Sequence, residues 1–168
     1  MRRVVSLWLP MLAIERIVRA SPAAAPPDQP PLVTSIADGQ RLVVAAACAR
    51  ARALGIVPGQ PLARAQAMVR GLDIRPADPR GAEALVARIA DHAARRWTPL
   101  AAADPPDGLW LDITGAAHLL GGEARLAAVM RRRLARGGLT ARIAIADCYG
   151  AAHAVARHAG DAVTIVPP

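Results

Sequence analysis

Residues Asp104 to Gly115 read Asp-Pro-Pro-Asp-Gly-Leu-Trp-Leu-Asp-Ile-Thr-Gly. Pro105, Pro106, Asp107 and Gly108 carry turn chemistry, because proline presets its own φ and glycine permits a positive one. Leu109, Leu111 and Ile113 alternate with Trp110, Asp112 and Thr114, the period of a strand. The stretch predicts a hairpin whose second strand runs over 109–114.

Working outward, Leu100 to Asp104 supplies the first strand of that hairpin. Before it, Arg80 to Arg96 predicts an amphipathic helix that buries Leu85, Val86 and Ile89. After it, a helix starts near Glu123 and runs to about Arg136. A strand over 140–146, a helix over 151–158 and a last strand over 162–166 follow. Near the N-terminus, Val4 to Leu9 reads as a buried strand, ended by Pro10, which can open a helix. Met11 to Arg19 then has helical spacing. Ser21 to Pro31 is a Pro- and Ala-rich loop. Leu32–Ile36 and Arg41–Ala47 form a hairpin around Asp38-Gly39. A helix over 48–54, a turn, a helix over 63–69 and a short strand over 73–75 complete the first half.

The 168 residues carry 21 basic side chains, all Arg, and a formal net charge of +8. That balance favours polyanionic partners such as nucleic acid or an acidic protein surface, and does not choose between them. Aromatic residues make up only 2% and there is no Phe, so platforms for stacking bases are scarce. Cys48 and Cys148 lie a hundred residues apart, which is neither a zinc spacing nor a disulfide framework and fits a reducing cytosol. Arg2-Arg3 and the apolar run behind them have a faint signal-peptide shape, but Pro10 and Glu15 interrupt it. No apolar run reaches about 18 residues, so no membrane span is expected. There is no internal repeat and no phosphate-cradling glycine loop.

The stretch over 104–115 resembles the second catalytic motif of Y-family, UmuC-like translesion DNA polymerases, Ser-Ile-Asp-Glu-Ala-Tyr-Leu-Asp followed by Ile/Val-Thr. Asp107 takes the place of the motif's Asp and Gly108 that of its Glu. Trp110 takes the Tyr position, and Leu111-Asp112-Ile113-Thr114 match directly. The family's opening strand carries Asp-x-Asp before an aromatic pair and Ala. Aligned on Ala13, those carboxylates are Leu7 and Leu9 here. Two-metal nucleotidyl transfer needs several carboxylates to hold ions about 4 Å apart. Leucine offers a hard cation no oxygen, and glycine offers no side chain. The resemblance therefore implies lost metal positions at Leu7, Leu9 and Gly108, with Asp107 a vestigial ligand and no catalytic residue.

The family's fingers pattern, Tyr-Glu-Ala-Arg, falls on 49–52. Ala49 stands where the Tyr would be, Ala46 where a triphosphate-contacting Thr would be, and Arg52 on the phosphate-contacting Arg. The family's Ala-Lys-Pro-x-Gly aligns with Ala156-Arg157-His158-Ala159-Gly160, so Arg157 keeps the charge of a triphosphate-contacting Lys. The resemblance implies vestigial nucleotide contacts at Arg52 and Arg157. For Arg52 the plain alternative is a solvated helix face. His153 and His158 have a poor metal spacing and read as surface histidines. Arg131-Arg132-Arg133 reads as a solvated face, or as a patch for nucleic acid or a partner.

The resemblance covers the whole chain and implies an α+β fold. A ferredoxin-like βαββαβ palm would use residues 1–10 and 76–168, with a fingers subdomain inserted at 11–75. The thumb and little finger are missing, so the chain is expected to be a fragment, a truncated gene product or a deliberately shortened piece. Leu7-Trp8-Leu9-Pro10 and the 105–115 string are typical of the ImuB-like, catalytically defective subset. That likeness implies a bacterial, cytoplasmic adaptor in damage-induced mutagenesis. It would join DNA, the sliding clamp, the RecA-like cassette partner ImuA and an error-prone C-family polymerase. No cofactor is implied, with Mg²⁺ entering only if activity remains. Three alternatives compete. One is an active error-prone polymerase fragment using Asp107 with Asp104 or Asp112, although strand alternation points Asp112 to the opposite face from Asp107. A second is a DNA-binding domain working by charge, and a third an unrelated α+β domain with accidental matches.

Overall fold

The structure is a computed structural model that describes residues 2–20 and 29–168. Most of the loop expected over 21–31 lies outside them. In chain order the elements are β1 (Val4–Trp8), α1 (Leu12–Ala20), β2 (Leu32–Asp38), β3 (Arg41–Ala47), α2 (Ala49–Ala53), α3 (Leu62–Met68), β4 (Asp73–Pro76), α4 (Pro79–Arg96), β5 (Ala101–Asp104), β6 (Gly108–Asp112), α5 (Glu123–Arg136), β7 (Arg142–Ala146), α6 (Tyr149–His158) and β8 (Val163–Ile165). The chain divides into two compact units, Met1–Pro10 with Arg80–Pro168, and Met11–Pro79.

The first unit is built on a five-stranded sheet in the order β5-β6-β1-β7-β8. β1 runs antiparallel to both β6 and β7, β5 antiparallel to β6, and β8 parallel to β7. Without β8, the path β1-α4-β5-β6-α5-β7 is the split βαβ of a ferredoxin-like fold. The fold is thus α+β as the sequence predicts. β1 lies in the middle of the sheet, and Val4, Val5, Ser6 and Leu7 are fully buried. Its two faces separate by alternation. Val4 joins a cluster with Ala146 and Ala152 beneath α6. Leu7 stands between Leu109 and Ile143 on the neighbouring strands. That second face is covered by the apolar sides of α4 and α5, which bury Val86, Ile89, Leu126 and Met130.

The ends of this sheet are tied by Arg3. Its Nε and Nη2 donate to the two carboxylate oxygens of Glu123 at 2.7 and 2.8 Å. Nη1 reaches Asp147 Oδ1 at 2.7 Å, and Nη2 also reaches the Val166 carbonyl at 2.9 Å. One guanidinium therefore joins the start of α5, the end of β7 and the end of β8. Its side chain is only 12% exposed and that of Glu123 24%, so solvent screens this pair little, whereas Asp147 is 48% exposed. The two carboxylates raise the Arg3 pKa further above its ordinary value. At the same end of the sheet the Arg3 N–H donates to Thr114 Oγ1 at 2.9 Å, and the Thr114 N–H donates to Asp112 Oδ1 at 2.9 Å, closing the turn after β6.

The second unit is a three-stranded sheet in the order β3-β2-β4. The β2–β3 hairpin turns through Gly39, whose φ of 59° is a conformation that side chains rarely adopt. β4 pairs parallel to β2. Val33, Val44, Ala51, Ile56, Leu62 and Ala65 form its core. Cys48 opens α2, accepting the Ala51 N–H on Sγ at 3.4 Å. Among the described residues no helix is long and apolar enough to cross a membrane.

Two outcomes follow from the ties in the first unit. Arg3→Ala should lower the unfolding free energy by about 1–3 kcal/mol, because it strands the partly buried carboxylate of Glu123. A denaturant midpoint reads this, and an unchanged midpoint would refute the tie. Asp112 is held below its ordinary value of 3.8 by the Thr114 hydrogen bonds and Arg2. Its contribution is present above that value and lost as pH falls through the lower folded value. Asp112→Asn should therefore flatten the loss of stability below about pH 4.

Candidate functional site

The hairpin of β5 and β6 brings Asp104, Asp107 and Gly108 together, and α6 lays Arg157 across them. Arg157 Nη2 stands 3.4 Å from Asp104 Oδ2 and 3.3 Å from Asp107 Oδ1. Its side chain is 18% exposed, against 21% for Asp104 and 32% for Asp107. These ion pairs are shielded from solvent more than surface pairs are, which strengthens them.

Aromatic rings complete the cluster. Trp8 Nε1 donates to Asp107 Oδ2 at 2.8 Å. The guanidinium carbons of Arg157 and Arg142 each lie 5.7 Å from the Trp8 ring centre, within cation–π range. Arg157 Nη1 lies 3.1 Å from His153 Nδ1. Arginine only donates, so Nδ1 accepts in this arrangement. Asp104 Oδ2, 3.5 Å from the same nitrogen, gains no hydrogen bond from it. His153 stacks on Trp110 with centroids 5.2 Å apart, and Trp110 meets Tyr149 edge-on at 5.1 Å. Arg2 covers Tyr149 at 4.7 Å and reaches toward Asp112 at 3.6 Å.

Gly108 sits in this cluster for want of space. It starts β6 instead of ending the turn, it lies opposite Trp8, and its φ is not among the positive ones. A Cβ there would stand 2.9 Å from Asp104 Oδ2, 3.2 Å from the Asp104 carbonyl oxygen and 3.3 Å from Arg157 Nη2. The expectation that Gly108 is needed for positive φ is therefore replaced by a steric reason. A larger side chain competes with the ion pair.

Leu7 and Leu9 lie in the core, both fully buried. The Leu9 N–H donates to the Asp107 carbonyl at 2.8 Å, so the end of β1 is laced to the turn by this backbone bond as well as by the Trp8 indole. Arg52 and Ala49 belong to the second unit, on α2. Both are exposed, and Arg52 Nε donates to the Ala47 carbonyl at 2.9 Å.

One sequence expectation is corrected here and a second is refined. Asp112 does not face away from Asp107. Asp107 lies in the turn, before the alternation of β6 begins, and its carboxylate reaches Arg157 on α6. Asp112 reaches Arg2, which covers Tyr149 on the same helix. His153 is at the surface, its side chain 39% exposed, but not without partners, because it stacks on Trp110 and meets Arg157. A signal for this was present: His153 and Arg157 are four apart on one helix, opposite a strand bearing Trp110.

The two-metal centre that the sequence resemblance implies can be tested against these donors. Asp104 and Asp107 share one guanidinium, and Leu7, Leu9 and Gly108 supply no side-chain oxygen. Among the described residues no group of three or more His, Cys, Asp or Glu side chains is placed to hold a metal ion. The residues do not fit a pair of Mg²⁺ ions.

Comparison with known proteins agrees with the fold. Residues 26–157 match the impB/mucB/samB family. Protein ImuB of Caulobacter vibrioides strain NA1000 / CB15N is 45% identical over 115 residues, 68% of this chain and 25% of that protein. ImuB of strain ATCC 19089 / CIP 103742 matches equally. Among solved structures, a post-insertion binary complex of Dbh DNA polymerase superposes with a TM-score of 0.83 at 20% identity, covering 99% of this chain and 48% of that one. DinB from Sulfolobus solfataricus gives 0.79 at 19%, covering 99% and 48%. The chain thus spans a quarter of the ImuB relatives and about half of these polymerases. With its family matched over most of its length, this chain is a member of the impB/mucB/samB family, a UmuC-like, Y-family polymerase fold akin to ImuB.

Proposed function

We propose that this chain is the palm and fingers of a polymerase-like protein that serves translesion DNA synthesis without transferring nucleotides itself. The first unit is the palm and the second the fingers. The observation that carries the reading is the Arg157 guanidinium lying between Asp104 and Asp107, beside a glycine with no room for a side chain. A fixed organic cation takes the charge of both carboxylates. A metal ion would have to displace it and then find other oxygens, which Leu7, Leu9 and Gly108 do not offer.

In this reading the chain works by contact. Its ImuB likeness supports a place in damage-induced mutagenesis. There it would act as an adaptor between DNA and its partners: the sliding clamp, a RecA-like ImuA and a C-family polymerase. The net charge of +8 favours the DNA contact. Arg157 is engaged on three sides, so it serves the fold of the palm more than a triphosphate. Arg52, exposed on α2, is the remaining candidate for a weak phosphate contact.

Calorimetric titration with deoxynucleoside triphosphates, with and without Mg²⁺ or Mn²⁺, tests this. The expected result is weak binding that does not depend on metal, reduced further by Arg52→Ala. Tight metal-dependent binding overturns the reading. A second test addresses the packed site itself. Gly108→Ala should cost about 1–2 kcal/mol of stability, since a Cβ must push Asp104 aside. Combined with Asp104→Ala, the loss should be less than additive, because the two residues contend for one space. Strict additivity in the cycle would mean that Gly108 and Asp104 do not compete.

A further inference from the structure

The other helical face of the first unit carries a hollow that the site above does not use. It has a volume of about 450 Å³ and lies between the C-terminal halves of α4 and α5. Its floor is apolar, made by Ile89, Trp97 and Leu134. Its rim carries Arg88, Arg95, Arg133 and Arg136 against a single carboxylate, Asp91. A second hollow of about 310 Å³ shares His92, Trp97, Arg133 and Arg136 and adds Arg96 and Arg132. All six arginines are exposed, and none forms an ion pair with a described residue.

Part of this charge has a local reason. Arg95, Arg96, Arg133 and Arg136 lie in the last turns of their helices, where cations complement the helix dipole. Arg88 and Arg132 do not. The field of the cluster is felt at His92, which packs edge-on against Trp97 at 5.7 Å. Burial, then Arg133, Arg96 and Arg95, hold its pKa below the ordinary value. Six unneutralised cations around an apolar depression are an unusual surface for a protein to leave uncovered.

We propose that this hollow docks an acidic peptide segment of a partner protein, with one large apolar side chain seated on Ile89 and Leu134 and flanking carboxylates on the arginine rim. Charge complementarity chooses the sign of the partner. The concave apolar floor chooses peptide over nucleic acid. Single strands bind by stacking bases on free ring faces, and the one indole of this floor, Trp97, is already engaged edge-on by His92 at 5.7 Å. Arginine forks suit carboxylates in pairs, which favours Asp or Glu on either side of the anchor. The surface lies wholly within the first unit and does not rest on the Arg157 site or on whether that site is catalytic.

The test uses the 168-residue chain and a fluorescent synthetic peptide with a central Leu flanked by Asp and Glu. Two further probes are the same peptide with Ala for Leu, and a single-stranded DNA oligonucleotide. The acidic Leu peptide should bind, perturb the His92 ring resonance, and weaken as salt rises. The double variant R88E/R133E, exposed at both positions, should weaken it about tenfold or more. The Ala peptide should bind at least about fivefold less well than the Leu peptide. The proposal is overturned by absence of peptide binding at about 1 mM. It is equally overturned by equal affinity for the Leu and Ala peptides, or by tighter DNA binding that R88E/R133E abolishes. Circular dichroism of the double variant, unchanged from the parent, keeps a lost signal attributable to charge.

Discussion

Arg157 is the residue on which the shielded face of the first unit depends. Its guanidinium touches two carboxylates, a histidine ring nitrogen and the face of Trp8. From there the contacts run in one line. Arg142 and Arg157 flank Trp8, His153 carries the line to Trp110, and Tyr149 hands it to Arg2 and Asp112. This chain has few aromatic residues, yet Trp8, Trp110 and Tyr149 are all gathered here. They fasten α6 to β1 and β6 by stacking and cation–π contact, where a more aromatic protein would use bulk. Apart from Trp97, the remaining buried apolar side chains of this unit are aliphatic or Met.

The other half of the argument lies on β1. A central strand covered on both faces is the worst place to keep an unpaired carboxylate, because a buried charge must be matched by a cation or a metal. Leu7 and Leu9 remove that requirement at their positions by joining the core. Asp104 and Asp107 keep their charge at the rim, and Arg157 neutralises it. The two solutions belong together. The backbone bond from Leu9 to Asp107, the Trp8 indole and the ion pairs of Arg157 fix the turn. Ser6 shows what an imperfect solution looks like. It is fully buried in the middle of β1, and among the described residues its hydroxyl finds no partner.

How much of this was legible in the sequence differs from residue to residue. The elements were, because alternation over 109–113, helical spacing over 80–96 and turn chemistry at Gly39 are local signals. The ferredoxin-like order was legible through family likeness, since pairing β1 between β6 and β7 is a long-range fact that no local pattern carries. Leu7 and Leu9 could be read as absent ligands directly from residue type. The reason for Gly108 could not. Turn residues suggest a φ requirement, whereas the real constraint is the position of Asp104 Oδ2, which only the fold supplies. Asp112 was misplaced because alternation was counted from a turn residue, where the strand period does not hold. His153 was underrated because its neighbours, Trp110 and Asp104, lie on other elements.

The site therefore differs from a metal centre by more than missing ligands. Placing a carboxylate at Gly108 would bring a Cβ against Asp104 and a new charge beside Arg157. That guanidinium could neutralise the addition only by giving up its present geometry. Placing one at Leu7 would put a charge in the core between Leu109 and Ile143, both fully or almost fully buried and apolar. Each single substitution is opposed by a feature that another position supports. Core packing on β1, the space at Gly108 and the cation on α6 have to change together before oxygens could converge on an ion. Non-additive coupling of this kind is what separates a site whose packing has settled around its present residues from a site that merely lacks one side chain.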